Sequence, residues 1–285
     1  MRTSILWILF LCGCGTGFAI DAQKATQYTG DAGSYCSLPA SYSQFPVNES
    51  LPSASSLPTL RSTAQSLVNQ NRLQEAIWLY QDDPQGAQTA SDLKQQLYSI
   101  LSTQSYTVEN SNLGGAYEKY ILDFQNGIKA VFKPTNDVYP EYTAYQLDQL
   151  GQFGIVPMVV VRTVNGRQGT VQYFLNGMSA GDVSQISSTN FRRMVIFDYL
   201  MRNRDRDTSN FLYWSDLNRV VAIDNGASFF RSCGIPDEIK KHLAIEKTLA
   251  QRLFSLSAKE FSNALGSTPF DKQMLIWYEL GRIRN

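Results

Sequence analysis

The sequence has a single histidine, His242, and only four cysteines among its 285 residues. Catalysis by histidine and zinc sites with several histidine ligands are therefore not favoured. Twenty-five basic residues balance twenty-five acidic ones, so the composition gives no electrostatic reason to expect nucleic acid as a partner. No stretch contains the about 20 consecutive apolar residues that a membrane-spanning helix needs, and we therefore expect no transmembrane segment.

An apolar N-terminus is the first informative feature that is present. Arg2 precedes an apolar run over residues 5–12, and small residues dominate positions 13–17. This order is typical of a secretory signal, which we assign to residues 1–22. The signal predicts a protein that is secreted or resides in the lumen of the secretory pathway.

The cysteines agree with export. Leu11-Cys12-Gly13-Cys14 resembles a bacterial lipobox, so an envelope lipoprotein with its lipid on Cys14 is the alternative destination. Removal of the signal leaves Cys36 and Cys233, and an even pair of cysteines in an exported protein predicts a disulfide bond. Two unrelated thiols are the alternative, because sequence spacing does not give the distance between them.

Two segments precede the main domain. Residues 23–58 are rich in serine and proline, which predicts a tether or a strap wrapped over the domain. Residues 59–104 have helical periodicity and form a predicted helical extension. We expect one helix from Leu60 to Tyr80, and a second one with Leu93 and Ile100 on its apolar face.

The remaining residues predict an α+β fold of two lobes. In residues 105–180, Asn126-Gly127 and Asn165-Gly166 each separate two strand-like segments, which is a strong signal for a β-hairpin. A helix that begins at Pro140 lies between the two predicted hairpins. In residues 181–285, an apolar helix and two short strands precede a mainly helical end. We assign these two ranges to an N-lobe and a C-lobe.

The N-lobe contains candidates for binding a phosphorylated ligand. Gly114-Gly115 lacks side chains, so its backbone can approach a phosphate closely, although a plain turn is the simpler interpretation. Lys133 ends a predicted strand, and Glu141 follows eight residues later in the first turn of the next helix. An ion pair between them would orient the lysine.

The C-lobe contains a polar loop with three candidate catalytic residues. Asp205 and Asn210 lie five residues apart after an apolar helix, a spacing typical of a loop in which aspartate accepts the acceptor proton and asparagine binds metal. Asp224 follows an apolar strand and precedes Asn225-Gly226, which places a carboxylate at a strand end where it can bind metal. A single acidic residue is usually a solvated surface charge, but the three together favour a site.

These motifs resemble those of atypical kinases. Gly-Gly-x-Tyr-x-Lys, Ala-Val-Phe-Lys-Pro, Asp-Tyr-Leu-x-x-Asn-x-Asp-Arg-x-x-x-Asn and Ile-Asp-Asn-Gly look like the motifs of the four-jointed and Golgi casein kinase group of secretory-pathway kinases. The later motifs are also similar to type II phosphatidylinositol 4-kinases and HipA-like kinases. The resemblance covers residues 114–230 and implies a two-lobe protein-kinase-like fold, here with an N-terminal helical extension.

The resemblance also implies roles for individual residues. Lys133 would contact the phosphates of ATP, together with Gly114 and Gly115, and Glu141 would orient Lys133. Asp205 would be the catalytic base. In the same resemblance, the ligands of Mg²⁺ or Mn²⁺ would be Asn210 and Asp224.

The function that follows is an exported, metal-dependent kinase that transfers the γ-phosphoryl group of ATP to a hydroxyl acceptor. We expect Ser or Thr of a protein as the acceptor, with a glycan kinase, a phosphoinositide kinase and an inactive kinase-fold scaffold as the alternatives.

Asp207 stands where Golgi casein kinase relatives tend to have histidine, and this difference bears on the substrate class. Asp198, in the helix before the loop, matches a position that we take as structural. The oligomeric state stays open.

The signal predicts where the native chain begins. The first residue of the exported protein is expected between positions 14 and 23, because the apolar run and its small-residue exit precede that point. N-terminal sequencing of protein from its native source checks this, and a lipid-modified Cys14 would identify the lipoprotein form. Recovery of Met1 would contradict export.

Overall fold

The computed structural model describes residues 57–109, 118–124, 126–176, 179–180, 188–203, 205–206, 209–214, 219–229 and 236–284. The predicted signal, most of the predicted strap, Cys14, Cys36 and Cys233 lie outside these ranges. So do Gly114 and Gly115. Within the ranges, Leu57 and Pro58 belong to the first helix.

The extension contains three helices where the sequence pattern predicted two. They are α1 (Leu57–Asn69), α2 (Leu73–Asp82) and α3 (Ala87–Thr103). The predicted helix from Leu60 to Tyr80 is interrupted at Asn71, whose φ of +57° is left-handed. Asparagine tolerates this conformation better than most residues do, and the amide of Arg72 turns back to the carbonyl of Leu67 at 2.9 Å. The apolar periodicity continues across the break, which is why the pattern suggested one helix.

The described residues of the N-lobe form a five-stranded antiparallel sheet in the order β1-β2-β3-β5-β4. Its strands are β1 (Thr107–Glu109), β2 (Tyr120–Asp123), β3 (Lys129–Pro134), β4 (Val159–Val164) and β5 (Arg167–Tyr173). Both predicted hairpins are confirmed, since β2 pairs with β3 and β4 pairs with β5. Gly127 and Gly166 have φ angles of +79° and +78°, which glycine adopts without steric cost. The predicted helix is α4 (Tyr139–Gly151), between β3 and β4.

The C-lobe contains helices and a small antiparallel sheet, whose first strand lies at the end of the range that the sequence assigned to the N-lobe but pairs with a strand of the C-lobe. The sheet has the order β6-β7-β8. The elements are β6 (Ser179–Ala180), α5 (Ser188–Met201), β7 (Phe211–Trp214), β8 (Arg219–Ala222), α6 (Pro236–Ile245), α7 (Lys247–Ser255), α8 (Ala258–Ala264) and α9 (Phe270–Arg284). The apolar helix, the two short strands and the helical end that the sequence predicted are all present. None of the helices in the described ranges is long and apolar enough to cross a membrane.

One apolar cluster joins the extension to both lobes. It contains Trp78 and Leu97 of the extension, Phe132 of the N-lobe sheet, and Trp214 and Val221 of the small sheet. We call it the extension cluster. Because one face of the N-lobe sheet packs against α1–α3, this sheet does not present that face to water. The extension is therefore part of the folded domain.

A second apolar cluster surrounds α5 in the C-lobe. Phe197 and Leu200 of α5 pack there with residues of α6 to α9, and Ala144 and Leu147 of α4 belong to the same cluster. Helix α4 thus lies against the C-lobe while its first turn approaches the N-lobe sheet. This packing sets the position of Glu141.

Polar contacts complete the attachment of the extension. The guanidinium of Arg219, at the start of β8, pairs with Asp82 of α2 and lies 5.5 Å from the ring centroid of Trp78. The same group donates to the carbonyl of Gly154 at 2.8 Å. In the N-lobe, the backbone N–H of Met158 donates to Oε1 of Gln74 at 2.8 Å.

Replacement of Gln74 by leucine tests this attachment. Gln74 is 1% exposed, and Gln74→Leu leaves the buried N–H of Met158 without its acceptor, which costs about 1–3 kcal/mol of unfolding free energy. Urea denaturation should show a lower midpoint than for wild type. Gln96→Leu on the exposed side of α3 is the matched control. Equal midpoints for the two variants would contradict the proposed attachment.

Candidate active site

Lys133 and Glu141 form an ion pair between the N-lobe sheet and α4. Lys133 is the penultimate residue of β3, and Glu141 lies in the first turn of α4. The distance between Nζ of Lys133 and Oε1 of Glu141 is 2.5 Å, and both side chains are largely buried. The contact that the sequence predicted is therefore present.

Asp224 brings the C-lobe to the same lysine. It lies two residues after the end of β8, with a left-handed φ of +53°. Its Oδ1 lies 3.2 Å from Nζ of Lys133, and its Oδ2 lies 3.3 Å from Nζ of Lys119. Two ammonium groups thus share one carboxylate at the cleft between the lobes.

The charges in this group shift its pKa values in opposite directions. Burial opposes the charged form of Lys133, but Glu141 and Asp224 outweigh that effect and raise the pKa of Lys133 above its ordinary value. Burial likewise opposes the carboxylate of Asp224, yet Lys133 and Lys119 leave the pKa of Asp224 below its ordinary value. Both groups are therefore charged at neutral pH.

Arg206 connects the polar loop after α5 to the end of β8. Its guanidinium is buried and pairs with Asp198 of α5 at 2.9 Å. The same group donates to the backbone carbonyls of Asn210 and Ile223. It also donates to Oδ1 of Asn225 at 2.6 Å. Burial raises the pKa of Asp198 above its ordinary value, although Arg206 opposes this shift. A buried charge that donates to so many acceptors fixes all of them relative to one another.

Asp205 and Asn210 lie in the loop that Arg206 holds. The amide Nδ2 of Asn210 donates to the carbonyl of Asp205 at 2.5 Å, and the backbone N–H of Ile223 donates to the carbonyl of Asn210 at 3.1 Å. The backbone N–H of Asp205 donates to Oδ1 of Asn203 at 3.0 Å. Asp205 itself is exposed. The loop is thus bonded at several points while Asp205 stays accessible to a second reactant.

Asn225 links the two ion-pair groups. Its side chain is fully buried, accepts from Arg206, and donates from Nδ2 to Oε2 of Glu141 at 3.4 Å. Glu141 is therefore contacted by the N-lobe through Lys133 and by the C-lobe through Asn225.

Further contacts from the C-lobe hold the middle of α4. The hydroxyl oxygens of Thr143 and Thr268 are 2.7 Å apart and buried. Thr268 also donates to Oε1 of Gln146 at 3.0 Å, and Nε2 of Gln146 donates to Ser267 at 2.9 Å. The loop between α8 and α9 thereby positions the helix that carries Glu141.

The oxygen donors of the site fit a hard divalent cation. The carboxylate of Asp224 is 37% exposed at the cleft, and the backbone around it is bonded to Asn210. Mg²⁺ prefers oxygen ligands and is usually held by one or two side chains together with phosphate oxygens and water. Among the described residues, no group of three or more His, Cys, Asp or Glu side chains surrounds a common point.

The structure brings together most of the residues that the sequence singled out. Lys133 is in direct contact with both Glu141 and Asp224, and Asp205 and Asn210 share the loop next to Asp224. Gly114 and Gly115 lie outside the described residues.

Sequence reasoning missed the roles of three other residues. Lys119 is the last residue of Gly-Gly-x-Tyr-x-Lys, and Arg206 and Asn225 directly follow the two aspartates at the centre of the site. Their positions inside the motifs were the available signal. Their partners lie too far away in sequence to be inferred from spacing.

Comparison with solved structures finds kinases. The structure of "the golgi casein kinase" is 18% identical over 68% of this chain and 74% of that chain, with a TM-score of 0.49. Its form "with Mn/ADP bound" is 18% identical over 68% and 75%, with a TM-score of 0.47. The Helicobacter pylori proinflammatory kinase CtkA is 13% identical over 65% and 94%, with a TM-score of 0.39.

No protein-family model and no curated protein sequence matches this chain. The TM-scores above are below 0.5, so the site is interpreted from its own geometry. The sheet, the helix with Glu141, the polar loop and the strand before Asp224 follow one another as predicted. The chain has an α+β, two-lobe, kinase-like fold.

The contacts of Arg206 predict a large effect of a conservative change. Arg206→Lys keeps the charge but removes the planar fork that reaches several acceptors at once. We expect the free energy of unfolding to fall by about 2–4 kcal/mol, because buried carbonyls and Asp198 lose partners. Denaturant unfolding measures this. Arg282→Lys is the control, since the Arg282 side chain is 32% exposed although it pairs with the buried Glu279. Equal losses for both variants would contradict the central role of Arg206.

Proposed function

We propose that this chain is a metal-dependent kinase that transfers the γ-phosphoryl group of ATP to a hydroxyl acceptor. The observation that carries the proposal is the position of Lys133. Its ammonium group lies between Glu141 of α4 and Asp224 of the C-lobe, and the loop with Asp205 is bonded to the same strand end. Phosphoryl transfer depends mainly on such positioning and on electrostatic stabilisation.

The two lysines are the groups that would contact phosphate. Lys133 is held by Glu141, so its ammonium group stays in place when Asp224 takes part in other contacts. The ammonium group of Lys119 contacts Oδ2 of Asp224, whereas Lys133 contacts Oδ1. A nucleotide triphosphate is strongly anionic, and two adjacent ammonium groups complement that charge.

Asp224 and Asn210 are the residues that would hold the metal ion. A bound Mg²⁺ or Mn²⁺ supplies charge neutralisation at the β- and γ-phosphates. Lys133 and Lys119 keep the pKa of Asp224 below its ordinary value. Its carboxylate is therefore ionised at neutral pH and can bind a cation. Arg206 keeps the backbones of Asn210 and Ile223 bonded to one group, so the two ligands are positioned together.

Asp205 is the residue that would orient the acceptor and receive its proton. Its carboxylate is exposed, whereas its backbone is tied to Asn203 and Asn210. A fixed backbone with an accessible carboxylate is what a base needs when the acceptor arrives from solvent.

The acceptor that we propose is Ser or Thr of a protein outside the cytosol. The predicted export signal would give that location, and a glycan or phosphoinositide hydroxyl is the alternative acceptor. Incubation of mature protein with labelled ATP and Mn²⁺ against protein, glycan and phosphoinositide pools distinguishes these acceptors. Transfer to none of them, with ATP bound, would favour an inactive scaffold.

Substitution of the two aspartates separates their proposed roles. Asp224→Ala is expected to weaken metal-dependent ATP binding and to abolish transfer, because it removes a metal ligand. Asp205→Ala is expected to slow transfer by about 10²-fold or more while ATP binding stays near the wild-type value, because the base acts in the transition state. Calorimetry gives the affinities and a turnover assay gives the rates.

Asp92→Ala, at an exposed position of α3, is the control and should match wild type in both measurements. Wild-type turnover by Asp205→Ala would show that another group is the base. Metal-dependent ATP binding that is unchanged in Asp224→Ala would remove that residue from the metal site.

A further inference from the structure

Two polar side chains on β5 each have a buried atom without a hydrogen-bond partner. Thr170 is 1% exposed and Gln172 is 5% exposed. Within the described part of the chain, neither Oγ1 of Thr170 nor Nε2 of Gln172 has a partner. A buried donor without an acceptor costs free energy, so two of them on one short strand require an explanation.

The register of the sheet places both side chains on the face that carries Lys133. Thr170 pairs directly with Lys133, and Gln172 pairs with Val131 of the same strand. Residues directly opposite each other in an antiparallel pair point to the same face. Thr170 and Gln172 therefore lie on the same face of the sheet as the side chain of Lys133.

The alternate residues of β5 confirm the orientation. Val171 and Tyr173 belong to the extension cluster, as does Phe132 of β3. Thr170 and Gln172 alternate with them and therefore point away from α1–α3. Val131, the partner of Gln172, does not belong to either apolar cluster and is only half buried, which leaves an apolar surface beside the amide.

The spacing from Lys133 suggests what the amide contacts. Gln172 lies two residues beyond Thr170, about 7 Å farther along the strand. A nucleotide whose phosphates contact Lys133 would extend its ribose and base over a distance of this order. Purine bases have ring nitrogens that accept hydrogen bonds on their edges, and the flat ring would pack on the apolar side chain of Val131.

We propose that Thr170 and Gln172 form the inner wall of the nucleotide site and that the amide of Gln172 donates to the edge of a purine base. The proposal rests on the proposed kinase function, because it uses Lys133 as the phosphate contact. It adds a base-recognition residue to a site whose other described groups face phosphate, metal or acceptor.

The test compares ligands with and without a base. Gln172→Met keeps the length of the side chain and removes the amide. In the presence of Mg²⁺, its dissociation constant for ATP should rise about tenfold, the effect expected from loss of one buried hydrogen bond, whereas binding of inorganic tripolyphosphate should not change. Gln168→Met, at an exposed position of the same strand and face, is the matched control and should bind both ligands as wild type does.

Thermal unfolding without ligand provides a second measurement. A structural amide stabilises the protein, so its removal would lower the midpoint. The Nε2 donor of Gln172 has no partner among the described residues of the free protein, so if it is kept for a ligand, Gln172→Met should unfold at the wild-type temperature or above it. A lower midpoint with unchanged ATP binding would overturn the proposal.

The binding data also separate this proposal from the function on which it rests. Wild type that binds ATP but no more tightly than tripolyphosphate would overturn base recognition and leave the phosphate site intact. Wild type that binds neither ligand would overturn both proposals.

Discussion

The buried guanidinium of Arg206 is the constraint on which the arrangement of the site depends. An arginine cannot lose its charge in a protein, so burial requires a partner for every donor. Asp198 supplies the counter-charge, and the carbonyls of Asn210 and Ile223 together with Asn225 supply the other acceptors. The loop with Asp205 and the strand end with Asp224 are therefore fixed to one rigid group. The loop and the strand end therefore do not have to change their relative position when a ligand binds.

From this group a line of alternating partners runs into the N-lobe. Asn225 contacts Glu141, Glu141 contacts Lys133, and Lys133 contacts Asp224. Each charge is next to an opposite charge or a neutral dipole, so the low dielectric of the cleft strengthens these contacts. Because the line passes through both lobes and returns to the C-lobe, a displacement of α4 would disturb the lysine and the aspartate together.

The sequence predicted the elements of the site better than their contacts. Asn126-Gly127 and Asn165-Gly166 impose local backbone conformations, so the hairpins were predictable from neighbouring residues alone. Lys133 and Glu141 were predictable as a pair because only eight residues separate them. The break at Asn71 was not, since a left-handed residue within a continuous apolar pattern leaves the pattern unchanged.

Polar contacts between residues that are far apart in the sequence are not predictable from the spacing of motifs. The hydroxyl contact between Thr143 and Thr268 joins residues 125 positions apart, and each threonine alone is an ordinary helix or loop residue. The orphan amide of Gln172 is likewise visible only after the strand register is known, because burial and pairing are properties of the folded sheet. Such groups depend on tertiary packing, which a local pattern does not contain.

The extension cluster has a consequence for motion. Trp214 and Val221 of the small sheet lie in the same apolar cluster as Phe132 and Trp78. A hinge rotation that separated the lobes would expose these side chains to water, at about 25 cal/mol per Å² of apolar surface. Separation of the two lobes at the extension cluster therefore costs free energy. A ligand would therefore enter and leave on the side where the carboxylate of Asp224 is exposed, and its exchange would not require a wide change in the angle between the lobes.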